Sequence, residues 1–201
     1  MEKRHRRQVA MVVASSLLGA TAADAGTLWN ESVNGDLSDD RFNPTALSLQ
    51  LGVNSLFATT GSGAADREYF SVTVPTGMQL SELNLVSYVG SDNTGFIGVQ
   101  QGSVFTEPPT NTQVFNLLGW SHIGPSSGNV GQNILDDIGW GGGAIGYEGP
   151  LPAGTYTYWV QQLGSPMTYQ LDYVVTNVPA PSAGALMMLG VVKLGRRHRA
   201  A

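Results

Sequence analysis

Oxygen-bearing side chains crowd one short stretch of this chain: Glu31, Asn34, Asp36, Asp39 and Asp40 fall within ten residues, with Gly35 among them. Hard cations such as calcium take six to eight oxygens from carboxylates, amides and carbonyls. Five such side chains, with a glycine that permits a sharp bend, make a candidate calcium site. The spacing departs from the D-x-[DN]-x-[DN]-G loop of EF-hands. A solvated acidic loop folded on Asx turns accounts for the same residues, and both readings stay open.

Catalysis has less to build on. The chain has three histidines and no cysteine, and only His122 lies outside the two ends. A Ser–His–acid triad would have to use His122, yet Trp120-Ser121-His122-Ile123 is no nucleophile elbow. Zinc wants three or four His, Cys or carboxylate ligands, so His122 reads as an ordinary loop residue. No spacing of acids marks a glycosidase pair. The glycine-rich segment 139–146 around Trp140 lacks the lysine of a phosphate-binding loop. An enzyme is not expected. Trp29, Trp120, Trp140 and Trp159, with seven tyrosines, raise a carbohydrate-binding reading instead. Trp120 and Trp140 sit in glycine-rich segments expected to be exposed, where aromatics can contact a ligand. Core packing is the alternative for any strand aromatic.

The elements that must position these groups are strands. Apolar residues alternate with period two over 45–53, 69–74, 80–88, 155–161 and 169–175. Half-buried antiparallel strands give that pattern, because one face meets the core and the other meets water. Turn chemistry separates them at Pro75-Thr76-Gly77, Gly90-Ser91-Asp92-Asn93, Pro152-Ala153-Gly154 and Gly164-Ser165-Pro166. Trp159 lies opposite Tyr156, Tyr158 and Val160 on its strand, so one of these sets faces outward or into a second layer. With 26 glycines and 10 prolines the chain favours turns over long helices. The expected fold is all-β: an antiparallel, jelly-roll-like β-sandwich, with an N-terminal signal helix and a short C-terminal apolar helix.

Charge is segregated. Lys3, Arg4, Arg6 and Arg7 open the chain, and Lys193, Arg196, Arg197 and Arg199 close it. The stretch between carries 13 acids against Arg41 and Arg67, a net of −11. Such a body repels phosphate backbones, so nucleic acid is not an expected partner.

The ends read as addresses. A basic stretch, an apolar stretch over 9–18 and the small residues Ala23-Asp24-Ala25 form a secretory signal, with cleavage expected after Ala25. Arg6-Arg7 followed by Gln8-Val9-Ala10 adds weak support for twin-arginine export. At the other end Val178-Pro179-Ala180-Pro181 precedes an apolar run over 183–192 and the closing arginines. An apolar run with a basic flank acts as a stop-transfer signal. This order resembles the PEP-CTERM sorting tail, which implies export machinery and an exosortase-type transpeptidase as partners and transient membrane contact through the tail. Ala180 stands where that family usually has Glu. Ten apolar residues rise about 15 Å as a helix, half of a ~30 Å hydrocarbon core.

Three internal segments resemble the bacterial pre-peptidase C-terminal domain. Asp66-Arg67-Glu68-Tyr69-Phe70-Ser71-Val72-Thr73-Val74 is similar to its D-x-D-Y-F-x-F-x-V strand, with Glu68 replacing the second Asp of that pattern. Leu151-Pro152-Ala153-Gly154-Thr155-Tyr156-Thr157-Tyr158-Trp159-Val160 is similar to its L-P-A-G-x-Y-x-(V/F)-x-V strand, and Tyr169-Gln170-Leu171-Asp172-Tyr173 to its final Y-x-L-x-V strand. The resemblance implies a small secreted jelly-roll sandwich, some of whose relatives bind calcium or matrix polymers. It also implies that Asp66 and Glu68 close the calcium shell. The chain thus divides into a signal peptide (1–25), a sandwich domain (26–177) and a sorting tail (178–201). The expected role is structural or adhesive and non-catalytic, at the cell surface, outer envelope or extracellular matrix of a bacterium, with exopolysaccharide as a candidate partner. A surface carbohydrate-binding module is the alternative, and a secreted hydrolase ranks third.

Overall fold

The alternating segments fold as strands, and the chain is all-β. The computed structural model describes residues 26–61 and 66–179. The strands are β1 (Gly26–Asn30), β2 (Thr45–Ser48), β3 (Gly52–Thr60), β4 (Glu68–Gly90), β5 (Gly95–Gln101), β6 (Gly119–Ile123), β7 (Gln132–Asn133), β8 (Leu151–Gln161) and β9 (Met167–Asn177). Two short helices, α1 (Glu31–Asn34) and α2 (Leu135–Gly139), interrupt them. The expected signal and tail helices, with Ala23, Ala25, Ala180, Pro181, Arg196, Arg197 and Arg199, lie outside the described residues.

The strands join in the order β1-β3-β9-β4-β8-β5-β6, with β2 and β7 also pairing to β4. The 23-residue β4 is shared between two groups. Its first part, from Glu68 to Val74, pairs with β8, and Phe70–Thr73 pair with β2. Its later part, from Met78 to Gly90, pairs with β9, and Asn84 and Leu85 pair with β7. The β8 register slips between Val74 and Gln79. Pro75, which has no N–H, and Gly77, at φ +80°, fall in this slip. The expected turn therefore bends a strand without ending it. Pro152-Ala153-Gly154 likewise lies inside β8, whereas 91–94 and 162–166 do connect strands.

Pairing is mixed, which corrects the purely antiparallel expectation: β1 with β3, and β2 with β4, run parallel. Parallel neighbours need a crossover. β1 reaches β3 through α1, the acidic loop and β2; β2 reaches β4 through β3. The alternating run 45–53 also splits in two. The Asn54 carboxamide donates to the carbonyls of Gln50 (2.8 Å) and Gly52 (3.1 Å) and accepts from Gln50 N (2.8 Å). This turns the chain at Gly52 (φ +98°) and leaves Leu51 43% exposed while Leu47 and Leu49 are buried.

Aromatic rings pack within and between the two groups. Phe70 stacks on Tyr158, with centroids 5.6 Å apart, and Tyr158 meets Tyr173 of β9 edge-on at 5.6 Å. Such pairs contribute about 0.5–1.5 kcal/mol beyond their buried area. Trp159 points the other way, into a smaller cluster with Tyr69, Phe105 and Leu117. β8 is thus buried on both faces, and its opposing aromatic set enters a second layer.

Candidate metal centre and aromatic groove

The acids are assembled from three segments. Asn30 caps α1, its Oδ1 accepting from Ser32 N at 3.1 Å, which places Glu31 at the start of the helix. The Glu31 carboxylate then stitches the loop to β3, accepting from Thr59 N (2.6 Å) and Leu37 N (3.2 Å). Gly35, at φ +89°, turns the chain out of α1 and into Asp36. Asp39 accepts from Arg67 N at 3.0 Å, drawing the loop against the segment that enters β4. Asp66 and Glu68 arrive on that segment.

Two groups result. Carboxylate oxygens of Glu31, Asp36 and Glu68 lie within 4.8 Å of one another, as do those of Asp36, Asp39 and Asp66. Asp36 belongs to both. Asp40 lies outside both groups, and Asn34 is engaged within its own helix. Asn34 accepts from Asn30 N at 3.0 Å, closing α1 on itself. Asp40 accepts from Phe42 N (2.9 Å) and Asn43 Nδ2 (2.6 Å), an Asx turn of the kind that the alternative reading gave to the whole loop.

Glu68 is the unusual member. It is 0% exposed, no N–H or hydroxyl reaches its carboxylate, and its side-chain partner is another acid, Asp66. Burial, followed by the charges of Glu31, Asp36, Asp66 and Asp39, pushes its pKa up to about 10. Without a cation it is therefore protonated at neutral pH. Burial also raises Glu31, against the two backbone bonds that it accepts, and raises Asp66, helped by Asp36 and Asp39. Asp40 moves the other way, held below its ordinary value first by the Asn43 side chain and then by Phe42 N. The hydroxyls of Tyr169 and Thr60 are also buried without a partner, and Glu68 is the acid that acts most strongly on Tyr169. A hard cation fits this chemistry, because it would replace mutual repulsion with coordination and occupy lone pairs left without a donor. Glu68 shares its strand face with Phe70, Val72 and Val74. An acid in phase with core positions is a sequence signal for this burial.

The aromatic candidates also come together. Trp120 on β6 and Trp140, just beyond α2, line one open cavity of about 410 Å³ with His122, Ser127, Asn129 and Asp137. Trp140 is 64% exposed. Trp120 is half-buried: Phe96 stacks on it with centroids 6.2 Å apart, and its Nε1 donates to Gly142 O at 3.1 Å. His122, expected in a loop, lies on β6 with its ring edge-on to Trp120. Phe96, Asn129 and Asp137 were not legible as partners, since contacts across β5, β6 and α2 leave no local pattern.

No family model, curated protein or solved structure significantly matches this chain.

Proposed function

We propose that this chain is exported from a bacterial cell and serves at the cell surface, outer envelope or extracellular matrix as a non-catalytic β-sandwich of structural or adhesive role, locked by calcium. The carrying observation is a pair of acid groups joined at Asp36: Glu31, Asp36 and the buried carboxylate of Glu68 in one, Asp36, Asp39 and Asp66 in the other. These five residues would hold the ion, whose chemistry here is charge neutralisation and cross-linking of α1, the acidic loop and β4. Metal bound only by the folded state stabilises that state directly.

The sandwich reading is supported by the sharing of β4 between two strand groups and by the aromatic contact between them. The segments resembling the pre-peptidase C-terminal domain form the start of β4, nearly all of β8 and the middle of β9, strands that pair directly through β4. Residues 1–25 support export. Val178 and Pro179, exposed just beyond β9, begin the segment resembling a PEP-CTERM tail, the substrate of an exosortase-type transpeptidase.

Melting the full chain in excess calcium and in excess chelator tests the lock. Calcium at about 100 times its dissociation constant adds roughly 2.7 kcal/mol, a rise of about 5–10 °C for a domain of this size. Identical melting temperatures would overturn the lock. Cell fractionation tests the sorting: a tail-intact chain free in the periplasm overturns it.

A further inference from the structure

The groove between β6 and α2 stands apart from the acidic cluster and has its own construction. Trp140 is held on a fixed mount. The glycine-rich loop that follows it lies against the chain leading into β6, with Ile145 N donating to Leu117 O and Gly146 N to Leu118 O, both at 3.0 Å. A side chain at position 141 would strike the Trp120 backbone, and one at 139 would strike the Tyr147 carbonyl. Glycine at both positions lets the loop approach that closely. Trp120 is fixed in turn by Phe96 behind it and by its bond to Gly142 O. Two indoles, one half-buried and one mostly exposed, therefore share a groove in set positions.

The surroundings of the rings narrow the ligand. Ser121, Ser127, His122 and Asp137 supply donors and acceptors along the same groove, and no Lys or Arg lines it. A wholly apolar ligand would strip water from those groups without replacing their hydrogen bonds. An anionic ligand would meet Asp137 inside a body of net charge −11. What remains is a neutral molecule with an apolar face for the indoles and hydroxyls around its edge. A pyranose has that form. The cavity, about 410 Å³, suits a ligand of this class, since small-molecule sites run about 300–1,000 Å³.

We propose that this groove binds a neutral polysaccharide, with Trp140 and Trp120 as stacking platforms and Asp137 as an acceptor for sugar hydroxyls. The site is independent of the cation lock, so each can fail without the other.

Native electrophoresis of the full chain, in calcium, through gels containing soluble β-glucan, dextran, galactomannan or xylan tests this. Alginate serves as the carboxylated control. The expected result is retardation in at least one neutral gel and none in alginate. Trp140→Ala should weaken the retarding interaction about ten-fold or more, with a melting temperature within about 2 °C of the parent, since its side chain is mostly exposed. Asp137→Asn, also at an exposed position, should weaken it by a smaller factor with the same melt. Free migration in all four neutral gels overturns the proposal. So does retardation that Trp140→Ala leaves unchanged, or a preference for alginate.

Discussion

Glu107, in the connection between β5 and β6, is 7% exposed, and its carboxylate accepts from Gln113 N at 2.8 Å and Asn116 Nδ2 at 2.7 Å. Glu68, at the start of β4, is equally withdrawn from water and accepts from nothing, with acids around it. Both lie within one chain, so burial of a carboxylate does not by itself mark a site. The difference is completion. Around Glu107 the protein supplies the donors and uses the acid to fold a loop. Around Glu68 it supplies further acceptors, which only something positive can satisfy.

That contrast can be broken most decisively at Glu68. Glu68→Gln keeps the shape and removes the charge, and it should abolish the calcium-induced rise of about 5–10 °C. In chelator the variant should melt at or above the parent, because folding the parent at neutral pH protonates this carboxyl and Gln escapes that cost. A preserved calcium rise would move the ion elsewhere. Glu107→Ala should behave oppositely. It strands two donors and should cost about 2 kcal/mol with and without calcium, a fall of roughly 4–8 °C, while the calcium rise persists. Loss of that rise would show the two regions to be coupled.

An effect of pH is also expected. Glu68 has a folded pKa of about 10 against an ordinary 4.5. Between those values the unfolded chain binds fewer protons than the folded one, so stability falls as pH rises. Raised Glu31 and Asp66 act in the same direction. In chelator the melting temperature should therefore drop between about pH 5 and 9, more steeply in the parent than in Glu68→Gln. A slope unchanged by that substitution would assign the effect to other groups. The smallest effect belongs to Asp40→Asn, outside both acid groups. It should shift the melt by about 1 °C or less and leave the calcium rise intact.

What the sequence made legible follows from the range of each interaction. The strands around Val72, Leu83, Tyr158 and Leu171 were readable because alternation is a local consequence of the pleat. Glu31, Asp36 and Asp39 were readable as a group because they are neighbours in the chain. Asn34 and Asp40, named with them for the same reason, each find a backbone or amide partner within four residues. The split at Gly52 was hidden because Asn54 reaches back to make the turn, and Leu51 keeps the alternation going across it. The parallel pairings and the joining of Trp120 with Trp140 depend on crossovers and distant packing, for which periodicity carries no information.

The ladder around β9 has a mechanical consequence. β9 is flanked along its length by β3 and β4, and Val178 N still bonds to Gly77 O just beyond it. Bonds between antiparallel strands lie across the strand direction. A load drawn along the chain from residue 178 onward would therefore shear many rungs at once. β1, which among the described residues pairs only with β3, has far fewer rungs to share a load. Under tension applied at both ends, the N-terminal edge should yield before β9.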